Sequence, residues 1–216
     1  MAATWLFDLG ADIYAFYTDN PAWRASCATL AGHLAPNSHR VLDLGCGPGT
    51  TILALSRVVP ATAWIGGDLA GRMLRLAKRR LARERVVAQL VRLDALALPF
   101  GAASVDGVVG HSFLYLVPDE QQALLESRRV LRPGGRVAFM EPAERYVSPA
   151  AFWRVSHDLR FLFSVPPWRF MSRHQRRYCD ASFSVALRRA GFVDIRCTEV
   201  LGGLGIIGSG RRNDNG

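Results

Sequence analysis

The run Val41-Leu42-Asp43-Leu44-Gly45-Cys46-Gly47-Pro48-Gly49-Thr50 decides the fold of this 216-residue chain. Its first half is an apolar segment interrupted by one acid, read as a buried strand. Its second half spaces three glycines at alternate positions before a helical pattern begins. A turn built that way lets the backbone reverse sharply and lets a ligand approach without a Cβ in between. The stretch therefore predicts a first strand, a nucleoside-binding turn and a helix.

Working outward, short apolar runs alternate with helical ones, as βαβ units with a parallel sheet require. Strands are expected near 40–45, 62–67, 86–92, 105–110 and 135–141, with helices near 51–58, 70–83 and 119–131. The helix at 70–83 places Met73, Leu74, Ala77 and Leu81 on one face. Arg72, Arg75, Lys78, Arg79, Arg80 and Arg83 read as its solvated face. Asp19-Asn20-Pro21 looks like a helix start, with an N-cap beside a first-turn proline. Residues 148–178 carry Phe152, Trp153, Phe161, Phe163, Trp168 and Phe170 and read as a helical insertion, or lid, broken by Pro166-Pro167. A helix near 180–190, stopped by Gly191, is followed by strands at 192–200 and 204–209, with a fraying tail from Arg211.

The formal charge is +9, carried by 26 Arg and the single Lys78. That excess fits nucleic acid, an anionic membrane or acidic substrates, but the Arg bias also fits a compositional habit of the source genome. Cys27, Cys46, Cys179 and Cys197 form no C-x-x-C pair, so no zinc site, metal or disulfide framework is expected. With neither a signal peptide nor an apolar span of membrane length, a cytoplasmic protein is expected, one that could still touch a membrane from outside.

Nineteen residues past Gly49, the second strand ends at Gly66-Gly67-Asp68. A carboxylate there can accept hydrogen bonds from both hydroxyls of a ribose, or cap the helix that follows. The dinucleotide fingerprint G-x-G-x-x-G/A, aligned on Gly45 and Gly47, puts Thr50 at its third glycine. Asp43 would also repel a pyrophosphate, whereas it could serve an ammonium group.

The run Asp43–Gly49 resembles motif I of the class I S-adenosylmethionine-dependent methyltransferases. Further on, Leu93-Asp94-Ala95, Leu98-Pro99-Phe100…Ser104-Val105-Asp106-Gly107-Val108 and Leu131-Arg132-Pro133-Gly134-Gly135 are similar to later passages of the type 11 subfamily. The resemblance covers roughly residues 40–141. It implies a Rossmann-like α/β fold with a seven-stranded, mostly parallel sheet flanked by helices. A single domain is then expected, with an N-terminal helical addition (1–38), a cofactor-binding core (39–142), the insertion (143–179) and a C-terminal helix and strands (180–210). S-adenosylmethionine is the implied cofactor, touched by Asp43, Gly45, Cys46, Gly47, Gly49, Asp68, Leu69, Asp94, Ala95 and His111.

Methyl transfer is an in-line displacement that can rest mainly on positioning, with a base added only when the nucleophile must lose a proton. His111 and Tyr115, after the fourth strand, are the candidates for proton removal. Tyr14, Tyr17, Tyr115 and Glu141 are candidates for substrate contact. The aromatic insertion points to a small apolar or aromatic acceptor. Its Arg154, Arg160, Arg169, Arg173, Arg176 and Arg177 could add an anion or a membrane surface. Nucleic acid as the acceptor is disfavoured because no Asn-Pro-Pro-Tyr-like motif occurs. Cofactor binding without turnover and, more distantly, a dehydrogenase remain open, and the oligomeric state is not legible.

Overall fold

The computed structural model describes residues 4–59, 62–145, 148 and 153–213, with side chains from Ala11 onward. The expected Phe152 of the insertion lies outside these residues, as do the last three residues of the tail.

The apolar runs become a seven-stranded sheet in the order β3-β2-β1-β4-β5-β7-β6. Its strands are β1 (Arg40–Leu44), β2 (Ala63–Asp68), β3 (Ala88–Arg92), β4 (Val105–His111), β5 (Leu131–Pro142), β6 (Phe192–Val200) and β7 (Gly205–Arg212). β1 to β5 pair in parallel, and β7 runs antiparallel to both β5 and β6. The central strands are buried on both faces, which is why they read as continuous apolar runs rather than alternating ones. Because the chain leaves β3 to continue at β4, on the other side of β1, the strand order reverses between β1 and β4. A crevice opens outside their carboxyl ends, where open α/β sheets bind ligands.

Helices α3 (Thr50–Leu55), α4 (Gly71–Arg83) and α5 (Glu120–Val130) connect the parallel strands. Two ties fix the strand ends. Asp106 of β4 accepts hydrogen bonds from the His39 and Arg40 N–H groups and pairs with Arg132 at 2.6 Å. Glu126 and Arg129 of α5 hold the backbone of Leu98 and Phe100.

The N-terminal addition is α1 (Thr4–Thr18) and α2 (Pro21–Thr29). Asn20 caps α2 as expected, accepting the Trp23 N–H at 3.1 Å. Ala11 and Ala15 of α1 pack on Met73 and Leu76 of α4. α1 is thereby laid across the crevice.

The insertion supplies α6 (Leu159–Arg173), and here the expectation fails: Pro166 and Pro167 sit inside a continuous helix. Two prolines remove two N–H donors and would ordinarily end it. Packing overrides them. Phe161, Val165 and Trp168 are buried on the N-terminal helices, and the Trp23 indole N–H donates to Ser164 Oγ at 2.7 Å. After α7 (Asp180–Arg189), Gly191 takes a left-handed φ of 83° and ends the helix as expected.

Three further expectations need correction. Leu131–Gly135 was expected as a turn before the fifth strand, yet β5 begins at Leu131. Its register with β4 jumps between Val105 and Gly107, where β5 advances from Leu131 to Arg136, and Gly134 takes a left-handed φ of 75°, so the expected turn is present but lies inside the strand. Arg211 and Arg212 do not fray: β7 includes both, and Arg212 donates to the Arg128, Arg129 and Leu131 carbonyls. Arg80 is not a solvated residue of α4. It pairs with Asp19 at 2.9 Å and donates to the Pro48 carbonyl and Thr50 Oγ, bracing the glycine turn.

Candidate active site and cofactor cleft

The turn after β1 is held by its own backbone and by one acid. The Cys46 N–H donates to the Gly67 carbonyl and the Gly49 N–H to the Cys46 carbonyl. Asp68, at the end of β2, accepts the Gly47 N–H on one oxygen and the Ala70 N–H on the other, both at 2.8 Å. It therefore couples the ends of two neighbouring strands and does not cap α4, whose N-cap is Ala70. Asp68 also lines the cleft, where a carboxylate accepts hydroxyl groups.

Two cavities of about 510 Å³ each open on this turn. The cleft on the β2 side is lined by Gly67, Asp68, Leu69, Leu93, Asp94 and Ala95, among others. The second cavity lies under α1, α2 and α6 and is lined by Tyr17, Trp23, Cys27, Cys46, Phe163 and Trp168, among others. Tyr14, Gly45, Gly47, His111, Ser112 and Tyr115 line both, forming the wall where the cavities meet. Gly47 has a left-handed φ of 49°, and a Cβ built on it would meet nothing nearer than the Gly45 carbonyl at 3.9 Å. It would project into the cavities. At Gly45 the same atom would lie 2.7 Å from the Phe113 ring, so that glycine serves packing.

Residues 41–135 match the family model described as a methyltransferase domain. The ubiquinone/menaquinone biosynthesis C-methyltransferase UbiE of Desulfotalea psychrophila is 30% identical over 85% of this chain and 77% of its own. The demethylmenaquinone methyltransferase of Thermus thermophilus is 35% identical over 63% of this chain and 57% of its own, so the chain spans little more than half of that relative. Among solved structures, the [4+2]-cyclase SpnF superposes with a TM-score of 0.75 at 16% identity, covering 97% of this chain and 94% of that one. That likeness shows the fold alone. The chain belongs to the class I S-adenosylmethionine-dependent methyltransferases.

For a class I methyltransferase, the cleft that ends on Asp68 suits the nucleoside half of the cofactor. Asp68 would hold the ribose hydroxyls. Leu69, Asp94 and Ala95 lie on the cleft wall, with Asp94 fixed by the Leu96 N–H at 2.9 Å. Gly45 and Gly47 bring the backbone to the junction, and Cys46 faces the second cavity. Asp43 differs from the expectation: it is wholly buried, lines neither cavity, and neither oxygen has a hydrogen-bond partner. Burial and the nearby Asp68 charge push its pKa well above the usual carboxylate range. A cation arriving in the adjoining cleft would favour the ionised form over the protonated one, so the orphaned acid fits a cationic ligand by losing its proton as the ligand binds. Gly49 is also corrected. It is the left-handed N-cap of α3, packs toward Ala77 and Leu81, and lines no cavity.

His111 is at the junction, but its ring is already engaged. Ser26 Oγ lies 2.8 Å from the Trp23 carbonyl and 3.0 Å from His111 Nε2. Ser112 Oγ lies 3.1 Å from Nδ1, so each ring nitrogen has a serine hydroxyl within hydrogen-bond reach, and the tautomer decides which nitrogen donates. The Trp23 ring stands edge-on to the imidazole, at 5.3 Å. Desolvation pushes the His111 pKa down to about 4, so the ring is neutral at pH 7.

Ser112, absent from the expected site, has a left-handed φ of 57° on a non-glycine residue at the cavity junction. Strain of this kind gathers at functional sites, and no sequence pattern announces it. Trp23, Ser26 and Cys27 also escaped reading as site residues, because only the fold brings α2 over the end of β4.

Glu141 was a candidate substrate contact. It is fully buried and lines neither cavity. One of its oxygens accepts the Phe113 and Leu114 N–H groups at 3.0 and 2.8 Å, and the other accepts that of Tyr115 at 3.3 Å. It is a positioning residue for the turn that carries Tyr115. Burial pushes its pKa up to about 8, against the opposing pull of these three donors. Tyr14 lines both cavities, Tyr17 only the second, and Tyr115 is buried at the shared wall.

Among the described residues, no group of His, Cys, Asp and Glu could hold a metal ion, and no helix is long and apolar enough to cross a membrane.

Proposed function

We propose that the chain transfers a methyl group from S-adenosylmethionine to a small, uncharged, apolar or aromatic acceptor bound in the second cavity. The observation that carries this reading is the cavity's lining. Among the described residues it holds no Asp, Glu, Lys or Arg, while Trp23, Phe163, Trp168 and Met171 supply apolar surface. An acceptor bearing a carboxylate or phosphate would lose its hydration there with no partner to replace it. Quinone-type rings, the acceptors implied by the names of the relatives above, fit such a cavity in size and polarity.

The cofactor supplies a methyl carbon activated by its positive sulfur. The chain's own residues then orient and desolvate. Tyr14, His111, Ser112 and Tyr115 form the wall between donor and acceptor. Glu141 fixes the backbone under Tyr115, and α1 with α6 screens the junction from water. The Ser112 hydroxyl, 3.1 Å from His111 Nδ1 and on the shared wall, is the group placed to hydrogen-bond an acceptor hydroxyl. With both ring nitrogens already bonded, the imidazole serves orientation before proton removal.

The nucleic-acid alternative loses ground because many arginines are engaged within the protein. Arg80, Arg129, Arg169, Arg176 and Arg212 all donate to main-chain carbonyls.

Radiolabelled methyl transfer to a hydroxynaphthoquinol, run beside its carboxylated analogue, tests the reading. Labelling of the uncharged ring at a rate at least about tenfold above the carboxylate supports it, since a buried unpaired charge costs several kcal/mol. Preference for the charged analogue would reject it.

A further inference from the structure

The exposed face of α6 is as apolar as its buried one. Leu159, Phe163 and Phe170 recur at helical spacing along the solvent side, and Ile13 and Phe16 of α1 lie beside them; all five are between 59% and 67% exposed. The strip is continuous across the two helices: Phe16 packs edge-on against Tyr17 at 5.3 Å, and Tyr17 meets Phe163 at 6.3 Å. Ile13 and Phe163 also line the second cavity, so the strip borders its mouth. A helix apolar all round is ordinarily covered, and a contiguous exposed apolar patch marks an interaction site.

The charge around the strip says what covers it. From Trp153 to Arg177 there are six arginines and one acid, Asp158; Arg169, Arg176 and Arg177 donate to main-chain carbonyls, and on the α1 side Asp12 is paired with Arg72. Asp158 is paired with Arg160, while Arg154 and Arg173 are exposed, Arg173 one turn beyond Phe170. Aromatic residues beside cations, on a chain of formal charge +9, fit an anionic lipid surface. A second copy of the chain would bring the same charge against itself.

We infer that the α1–α6 face docks on an anionic phospholipid bilayer, with Phe16, Phe163 and Phe170 entering the headgroup region and the mouth of the acceptor cavity facing the lipid. This extends the apolar-acceptor reading to the route by which such an acceptor arrives. Binding to lipid needs neither cofactor nor turnover, so its failure would leave that reading standing.

The test is co-sedimentation of the full chain with vesicles of phosphatidylcholine alone and of phosphatidylcholine with phosphatidylglycerol, at low and high salt. Phe16 and Phe170 line neither cavity, so F16S/F170S is the matching variant, and its affinity for S-adenosylhomocysteine is the control for folding. The wild-type chain is expected to sediment with the anionic vesicles, and to do so at least about tenfold less well with the neutral ones or in high salt. The double variant should lose a further factor of roughly ten or more on anionic vesicles while keeping its ligand affinity. Absence of wild-type binding to anionic vesicles would overturn the inference, as would a double variant that sediments like wild type. A wild-type dimer in the analytical ultracentrifuge that F16S/F170S converts to monomer would assign the face to a second copy instead.

Discussion

Adding one methyl group to the glycine turn separates its two duties. In Gly47→Ala the new Cβ meets no protein atom within 3.9 Å, so the fold bears only the left-handed backbone, worth about 1–2 kcal/mol. For a chain of this size that is a fall in Tm of about 2–8 °C. The same atom protrudes where the cavities meet, and a ligand lying on the turn must move off it or lose contact. The affinity for S-adenosylhomocysteine should therefore fall by at least about tenfold, or ~1.4 kcal/mol. Gly45→Ala reverses the balance. Its Cβ would sit 2.7–2.9 Å from three Phe113 atoms. Overpacking adds about 1–3 kcal/mol to the backbone term, so stability drops by about 2–5 kcal/mol in all. Scanning calorimetry and isothermal titration on both variants give the four numbers required. If Gly47→Ala bound like wild type while losing as much stability as Gly45→Ala, the turn would be a packing device and the cleft would lie elsewhere.

Three other outcomes follow from the same geometry. Asp68→Ala removes two acceptors for ribose hydroxyls at about 1.5–3 kcal/mol each, so affinity for S-adenosylhomocysteine should fall roughly 10²–10⁴-fold by titration. Glu141 is an acid whose pKa is raised from 4.5 to about 8 by burial, so the folded state holds its proton more tightly than the unfolded one. Its contribution is complete below pH 4.5 and is lost as pH rises toward 8. The stability of wild type minus that of Glu141→Gln, from urea melts, should decline across that window; a flat difference would remove Glu141 as the titrating group. His111→Ala should leave S-adenosylhomocysteine affinity nearly intact and lower kcat. With the imidazole pKa at about 4, wild-type kcat should show no histidine titration between pH 7 and 5.5, and a midpoint near 6.5 would contradict a desolvated, neutral ring.

The elements legible in sequence were those fixed by local rules. The buried run before Gly45, the Asn20 cap and the Gly191 stop each carry their own physical signal, and each stands where it was read. What was missed depends on contacts distant in sequence. Pro166-Pro167 reads as a break until Trp23, 141 residues before its hydrogen-bond partner Ser164, helps hold α6 in place. Glu141 and His111 look alike as polar residues at strand ends. Only the fold shows one closing a backbone turn behind the cavity wall and the other bonded between two serines at the junction. Asp43 and Gly49 match the motif letter for letter, yet the strand and the helix start use them, and the open space lies at Gly47. A motif marks where a ligand site is; which of its residues touch the ligand is decided by packing.

Isothermal titration of the intact chain with S-adenosylhomocysteine, run in parallel with NAD, tests the central claim most directly. Saturable one-site binding of S-adenosylhomocysteine with no heat from NAD is predicted, because the cleft offers a carboxylate for ribose and a buried, orphaned Asp43 suited to a cation rather than a pyrophosphate. Binding of NAD without S-adenosylhomocysteine would contradict it.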